Sequence, residues 1–239
     1  MAPPPQRAAI IGAGRVGSTL GARLLAAGWT VMYGSRRPGS SKKLQKTLHA
    51  QPAASGGGIT EAVEWAGGGP GAGAVLLTVP GSALATDAAC AAFARSLGPS
   101  AAGKLVIDAT NPLDSEGNEL CWSRGRSSAE VLAQCLPESF VCKAFNTVGV
   151  EHMARPDGAL VTGQRLTLMF AGTAEHQAEV ALLIEAVGFE PHWVGGLRYS
   201  RNLEALAELY IHLGSGTGGA DWAADNGTRP YHFQVLRRR

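Results

Sequence analysis

The chain of 239 residues contains no run of the roughly 18 uninterrupted apolar residues that a membrane-spanning helix needs, so no span is expected. Residues 1–7 form a short proline-rich tail without the apolar core of a signal peptide, which argues against secretion and for a cytoplasmic protein. Cysteine is scarce: Cys90, Cys121, Cys135 and Cys142 make no C-x-x-C pair, and no histidine stands at zinc-finger spacing from them. Reduced thiols are expected, not a disulfide framework. The six histidines are scattered and none belongs to an H-E-x-x-H pattern, so no metal site is expected. Charge of one sign is also missing. The formal net charge is +2, and basic residues gather only at Arg237, Arg238 and Arg239, which makes nucleic acid a poor partner.

What is present is glycine and apolar sequence. Hydrophobic residues make up 45% of the chain and glycine 32 positions, enough at this length for one main nucleotide-binding sheet with a small appendage. The apolar run Ala8, Ala9, Ile10, Ile11 leads into Gly12, Ala13, Gly14, Arg15, Val16, Gly17. In a dinucleotide-binding turn the first glycine permits the tight bend, the second lets backbone approach a pyrophosphate, and the third lets the following helix lie close to the sheet. That helix, residues 15–27, places Val16, Leu20 and Leu24 on one face and is closed by Gly28. Its N-terminus offers amide groups and partial positive charge to phosphates.

A second strand, residues 29–33, ends where an NAD enzyme would carry an acid for the ribose hydroxyls. Here Ser35 and Arg36 stand in its place, with Arg37, Lys42 and Lys43 nearby. A carboxylate would repel a 2′-phosphate, whereas a guanidinium can bind one through two parallel hydrogen bonds. Ser35 and Arg36 are therefore read as phosphate-binding, and Lys42 and Lys43 as a solvated helix face. The combination selects NADP over NAD.

Beyond this the chain alternates helices and strands: a helix over 41–51, a flexible glycine loop over 54–58, a short helix over 60–66, a strand over 74–80, a helix over 83–97 and a strand over 104–110. A helix over Ser128–Cys135 and a strand over 139–145 follow. The C-terminal third predicts a strand over 165–171, a helix over 174–187 capped by Thr173, a strand over 190–194 and a helix over 202–213. Leu203, Leu206, Leu209 and Tyr210 stripe that last helix as core or as the contact of a homodimer, and Trp193 and Trp222 are read as packing. The fold class is α/β, a doubly wound, mostly parallel sheet of the Rossmann type with a small C-terminal helical extension. Ligands in such sheets bind beyond the carboxyl ends of the strands. Three ends carry polar or restricted residues: Thr78, Val79 and Pro80; Asn111 beside Pro112; and Asn146 and Thr147. They are read together as facing ribose and nicotinamide. Lys143, on an otherwise apolar strand, either donates a proton in an imine or 2-hydroxy-acid reductase or pairs with Asp108; the pairing is preferred.

These motifs, with Ser128, Ala129, Glu130 and the segment Tyr199, Ser200, Arg201, Asn202, Leu203, Glu204, stand in the order seen in deazaflavin-dependent NADP oxidoreductases. The chain resembles that family from Arg7 to about Leu213, and is similar also to the cytosolic NADPH–flavin oxidoreductase domain of six-transmembrane metalloreductases. The resemblance implies hydride transfer between NADP(H) and a second ring, coenzyme F-420 or FMN/FAD. It places Ser35 and Arg36 on the 2′-phosphate, and Thr78, Pro80, Asn146 and Thr147 around the nicotinamide. No catalytic acid–base group is then required, because the protein aligns two rings. The expected organisation is a disordered tail over 1–6, an NADP-binding domain over 7–198 and a helical segment over 199–239, with small-molecule coenzymes as partners. The loop-like region 214–229 departs from the family where it closes the second-ring pocket. A reductase for imines or hydroxy acids and a non-catalytic NADP(H) sensor remain the alternatives.

Overall fold

The computed structural model describes residues 6–67, 73–115, 119–122, 125–156, 163–214, 229 and 231–236. Six parallel strands make the main sheet: β1 (Arg7–Ile11), β2 (Thr30–Ser35), β3 (Ser55–Gly58), β4 (Ala74–Leu77), β5 (Leu105–Asp108) and β6 (Phe140–Lys143). Their order is β3-β2-β1-β4-β5-β6, the doubly wound arrangement. Each central strand is apolar on both sides because both faces are covered. Ala8, Ile10, Leu76 and Ile107 enter one core, with α1 (Arg15–Ala26) and α7 (Gln177–Val187) above them. The alternate residues Ala9, Ile11, Leu77 and Val106 enter the other, against α3 (Ile59–Trp65), α4 (Asp87–Leu97) and α5 (Ser128–Cys135).

The segment expected as a flexible loop over 54–58 is instead the edge strand β3, in register with β2 from Met32↔Ser55 to Ser35↔Gly58. Its glycines answer to packing. A Cβ on Gly56 would lie 2.8 Å from a Leu48 methyl, and one on Gly57 would overlap the Glu61 carboxylate that accepts from Gly58 N–H at 3.0 Å. The helix expected over 83–97 is also divided. A short 3-10 turn, Gly81–Leu84, precedes α4, and Thr86 takes the cap by accepting from Ala89 N–H at 3.1 Å. Thr173 makes no such cap, because a 3-10 turn over Ala174–His176 intervenes before α7.

The last two strands, β7 (Thr167–Phe170) and β8 (Glu190–Trp193), form a separate parallel pair, tied to the main sheet by an antiparallel bridge between Lys143 and Ala171. Between β6 and β7 lies the short α6 (Val150–Ala154), and α8 (Ser200–Leu213) follows β8. In the predicted stripe of α8, Leu203 and Tyr210 are buried while Leu209 stays 47% exposed. Trp193 packs against the core and donates to Gly172 O at 3.1 Å, as packing requires; Trp222 lies outside the described residues.

The chain's last described segment returns to β7. His232 Nε2 donates to Thr167 O at 2.7 Å, and Gln234 Oε1 accepts from Thr167 N–H at 2.9 Å. Burial holds His232 below the ordinary imidazole value of 6.5, with the nearby His152 ring adding to the effect. The unfolded chain therefore takes up this proton first, so the cost is absent above pH 6.5 and grows as pH falls below it. His232→Gln should flatten that acid limb: in melts from about pH 7.5 to about pH 5, its melting temperature should fall less steeply than that of the parent protein. Parallel curves would show that His232 does not contribute.

Candidate functional site

The carboxyl ends of β1, β2, β4, β5 and β6 lie along the same edge of the parallel sheet. Gly12, directly after β1, has φ of +114°, a left-handed backbone that favours glycine, and its N–H bonds to Gly34 O at 3.0 Å. That bond sets the turn beside the end of β2 and hence beside Ser35 and Arg36. A Cβ on Gly12 would stand 2.8 Å from Thr78 O, and one on Gly17 would overlap the Gly12 carbonyl. Gly14 is different: a Cβ there would meet nothing within 4 Å. Two of the glycines are demanded by the protein's own packing. The third faces open space.

That space lies at the N-terminus of α1. Gly14 is the N-cap, no side chain caps the first-turn amides, and the first turn carries no acid. Such an end attracts an anion. Ala13 is half-buried and its carbonyl accepts from Thr47 Oγ1 at 3.4 Å, which ties α2 (Lys42–Ala50) to the loop; Val16 packs on the core and Arg15 is exposed.

Ser35, the last residue of β2, accepts from Arg37 N–H at 3.4 Å, which leaves its own hydroxyl proton available to donate. Arg36 is exposed and makes no ion pair or side-chain hydrogen bond among the described residues. Arg37, Lys42 and Lys43 are exposed as well.

The end of β4 holds the loop from behind. Thr78 Oγ1 donates to Gly12 O at 2.8 Å, so its hydroxyl fastens the glycine turn. Val79 packs against the second core, and Pro80, exposed, accepts from Ala83 N–H at 2.9 Å to begin the 3-10 turn.

The ends of β5 and β6 are knitted together. Asn111 Nδ2 donates to Asn146 O at 3.2 Å, and Asn146 Nδ2 donates to Leu203 O in α8 at 3.0 Å. Phe145, with φ of +65°, bends the chain between Lys143 and Asn146. It is the sole non-glycine residue with positive φ among those described, a strain that persists where the surroundings impose it. Asn146 is 3% exposed, yet its Oδ1 has no hydrogen-bond partner. A buried acceptor without a donor fits a ligand N–H such as a carboxamide. Thr147 is buried beside it.

Lys143 lies beneath this pair and is wholly buried. Its Nζ donates to Asp108 Oδ2 at 2.8 Å, Glu204 Oε1 at 2.9 Å and Ser128 Oγ at 3.1 Å, which uses all three protons. Burial pushes its pKa down, but the two carboxylates prevail and hold it above the ordinary lysine value. The pairing with Asp108 is as expected. Glu204 and Ser128 were not expected as partners, although the segments containing them stood out in the sequence. Their role depends on α8 crossing the N-terminus of α5, which no local pattern encodes.

Among the described residues there is no cluster of histidine, cysteine and carboxylates able to hold a metal ion, and all four cysteines are free. No helix of the described residues is long and apolar enough to cross a membrane. The glycine-rich region 215–228 lies outside the described residues.

One substitution separates the two kinds of glycine. Gly14→Ala, at a residue with ordinary extended backbone (φ −78°), should lower the melting temperature by only a few degrees, the cost of alanine at an N-cap. It should weaken NADPH by roughly tenfold or more, about 1.4 kcal/mol, because the methyl occupies the approach to the helix N-terminus. Unchanged NADPH affinity in a fluorescence titration would move the dinucleotide elsewhere.

Comparison with known proteins bears out the resemblance read from the motifs. Residues 7–112 match the family model described as NADP oxidoreductase, coenzyme F420-dependent. The chain is 28% identical over 203 residues to Metalloreductase STEAP3 of Rattus norvegicus, covering 82% of this chain. It spans 35% of the length of that curated relative. Among solved structures, a candidate F420-dependent NADP-reductase from Arthrobacter sp. FB24 superposes with a TM-score of 0.76 at 26% identity, covering 96% of this chain and 99% of the other. A reductive aminase from Aspergillus terreus, in complex with NADPH and ethyl-5-oxohexanoate, shares the fold with a TM-score of 0.58 at 18% identity, covering 90% of this chain and 63% of that one.

Proposed function

We propose that this chain is an NADP(H)-dependent oxidoreductase that passes hydride between NADP(H) and a second redox coenzyme, a deazaflavin such as coenzyme F-420 or a flavin, FMN or FAD. The observation that carries the reading is the placement of Ser35 and Arg36, in place of an acid, at the strand end beside the glycine turn. The match over residues 7–112 and the Arthrobacter protein's likeness over nearly the whole chain support it.

In this reading the uncapped N-terminus of α1, with Gly12, Ala13, Gly14, Arg15, Val16 and Gly17, receives the pyrophosphate, and Ser35 and Arg36 receive the 2′-phosphate. Thr78 holds the turn rigid from behind, Val79 and Pro80 shape the wall, and Asn111, Asn146 and Thr147 border the nicotinamide. The orphan Asn146 Oδ1 would accept from its carboxamide. When bound, the dihydronicotinamide supplies a hydride and the acceptor ring takes it up together with a proton from water. The protein's part is alignment and the exclusion of misoriented encounters.

The alternative of an imine or hydroxy-acid reductase would need a proton donor at the ring, and the charged group nearest in sequence to Asn146 is Lys143. With all three protons donated inside the core, Lys143 is not placed to serve. The likeness to the reductive aminase is one of fold alone.

The decisive experiment is anaerobic stopped-flow mixing of the protein with NADPH and either FMN or a deazaflavin. Acceptor-dependent loss of NADPH absorbance is expected with at least one ring. No loss with either would overturn the reading, and turnover with a cyclic imine instead would establish the alternative.

A further inference from the structure

The buried ion cluster lies at the ends of β5 and β6, just before the two asparagines of the proposed nicotinamide edge in the chain. Asp108 and Lys143 are register partners at the ends of β5 and β6. Asn111 and Asn146 each stand three residues beyond them, and the two asparagines are bonded to each other. The chain cannot simply continue straight between these points. It turns through Phe145 at φ of +65°, so whatever holds Lys143 below and Asn146 above also sets that strained bend.

Both holding contacts come from adjacent residues of one helix. Leu203 O accepts from Asn146 Nδ2 at 3.0 Å, and Glu204 Oε1 accepts from Lys143 Nζ at 2.9 Å. Glu204 is further fixed by Ser128, whose N–H and hydroxyl donate to Oε1 at 3.1 and 2.6 Å. One ammonium among two carboxylates leaves an excess negative charge in the core, and the N-terminus of α5, where Ser128 sits, supplies the partial positive charge that offsets it. The carboxylate of Glu204 thus ties α8 to the end of β6 and to the N-terminus of α5.

We infer that Glu204 is a positioning residue for hydride transfer: through Lys143, Ser128 and the neighbouring Leu203 carbonyl it fixes the Asn111–Asn146 edge against which the nicotinamide ring is oriented. The inference rests on the proposed NADP(H) reading for the identity of the ring. It does not rest on which acceptor is used.

A second contact between the same helices provides the control. Arg201 donates to both carboxylate oxygens of Glu130, joining α8 to α5 near the surface without touching either asparagine. If any loosening of α8 slowed the reaction, Glu130→Gln would do so as well.

The test compares Glu204→Gln, which keeps the shape but removes the charge that holds Lys143 and the N-terminus of α5, with Glu130→Gln and the parent protein. In the binary complex, E204Q should bind NADPH within about twofold of the parent, because the proposed phosphate subsites stand at β1 and β2, which β4 separates from β5 and β6. The fluorescence anisotropy of the bound dihydronicotinamide should fall, since the ring has lost its fixed edge. With an acceptor ring, the single-turnover hydride-transfer rate constant at saturating NADPH, which is independent of the fraction of protein folded, should drop on the order of tenfold. E130Q should match the parent in all three measurements. Unchanged anisotropy in E204Q, or an equal loss in E130Q, would overturn the inference. Absence of transfer in the parent protein would instead remove the proposed reaction, and the anisotropy comparison would still decide the role of Glu204.

Discussion

Lys143→Met should lower the unfolding free energy by about 3–5 kcal/mol, the cost of removing one partner from a buried ion pair. The loss does not come from volume, because methionine fills nearly the same unbranched space. It comes from charge: Asp108 and Glu204, 0% and 1% exposed, would be left facing each other with no cation between them. Thr110 still donates to Asp108 through its N–H and hydroxyl at 2.9 and 2.7 Å, and Ser128 still donates to Glu204, so the carboxylates keep hydrogen bonds but lose their counter-charge. Against a typical total of about 5–15 kcal/mol, this is a large fraction. Adding Asp108→Asn and Glu204→Gln to the same chain should recover much of the loss, since a neutral cluster of the same shape has no unpaired charge. Urea unfolding at neutral pH checks both. The raised pKa of Lys143 means that its contribution is full below the ordinary lysine value of 10.5 and is lost only as pH climbs through the higher folded value. A single variant within about 1 kcal/mol of the parent would show that the cluster is held by packing and not by charge.

Arg36→Ala should weaken NADPH by about 1–3 kcal/mol, the range for a lost charge-assisted hydrogen bond, and leave NADH almost unaffected. Arg36 is exposed and engages no other side chain among the described residues, so its removal leaves the fold intact and deletes only what it offers a ligand. NADH lacks the 2′-phosphate and so has nothing to lose. The basic residues that remain, Arg37, Lys42 and Lys43, keep a diffuse positive field, which raises both affinities at low salt but cannot tell the coenzymes apart by geometry. The measurement is a pair of titrations at fixed ionic strength. Equal weakening of the two coenzymes would remove Arg36 from the phosphate site.

The readable parts of the fold were those in which one residue type has one physical use. Strands β1, β4, β5 and β6 announced themselves as apolar runs, interrupted by Asp108 and Lys143 at the ends of β5 and β6, because a parallel strand is covered on both faces, and the structure divides their apolar residues between two cores accordingly. Strand β3 was unreadable for the opposite reason. Its sequence, Ser-Gly-Gly-Gly, has the composition of a loop, and glycine is required there only because Leu48 and Glu61 arrive from elsewhere in the chain. Thr173, expected as a cap, makes no cap bond because the turn that follows it winds more tightly, whereas Thr86, expected inside a helix, caps α4.

The same division runs through the candidate site. The glycine turn and the replacement of an acid by Ser35 and Arg36 follow from local spacing, because a phosphate is met by backbone amides and a guanidinium that lie close together in sequence. Their adjacency to one another, and the different reasons for Gly12, Gly14 and Gly17, required the register of β1 with β2 and the contact with Thr78. Lys143 was ambiguous as a letter in the chain: acid or structural pair. Only the fold could choose, because the choice depends on α8 bringing Glu204 across 61 residues to share its protons with Asp108. The sequence by itself determined the apolar strands, the glycine turn and the Ser35–Arg36 pair that stands in place of an acid, which depend on periodicity and short-range chemistry. The tertiary structure decided which polar groups stay without a partner and which are consumed in the core, because hydrogen-bond partners distant in the chain leave no local trace.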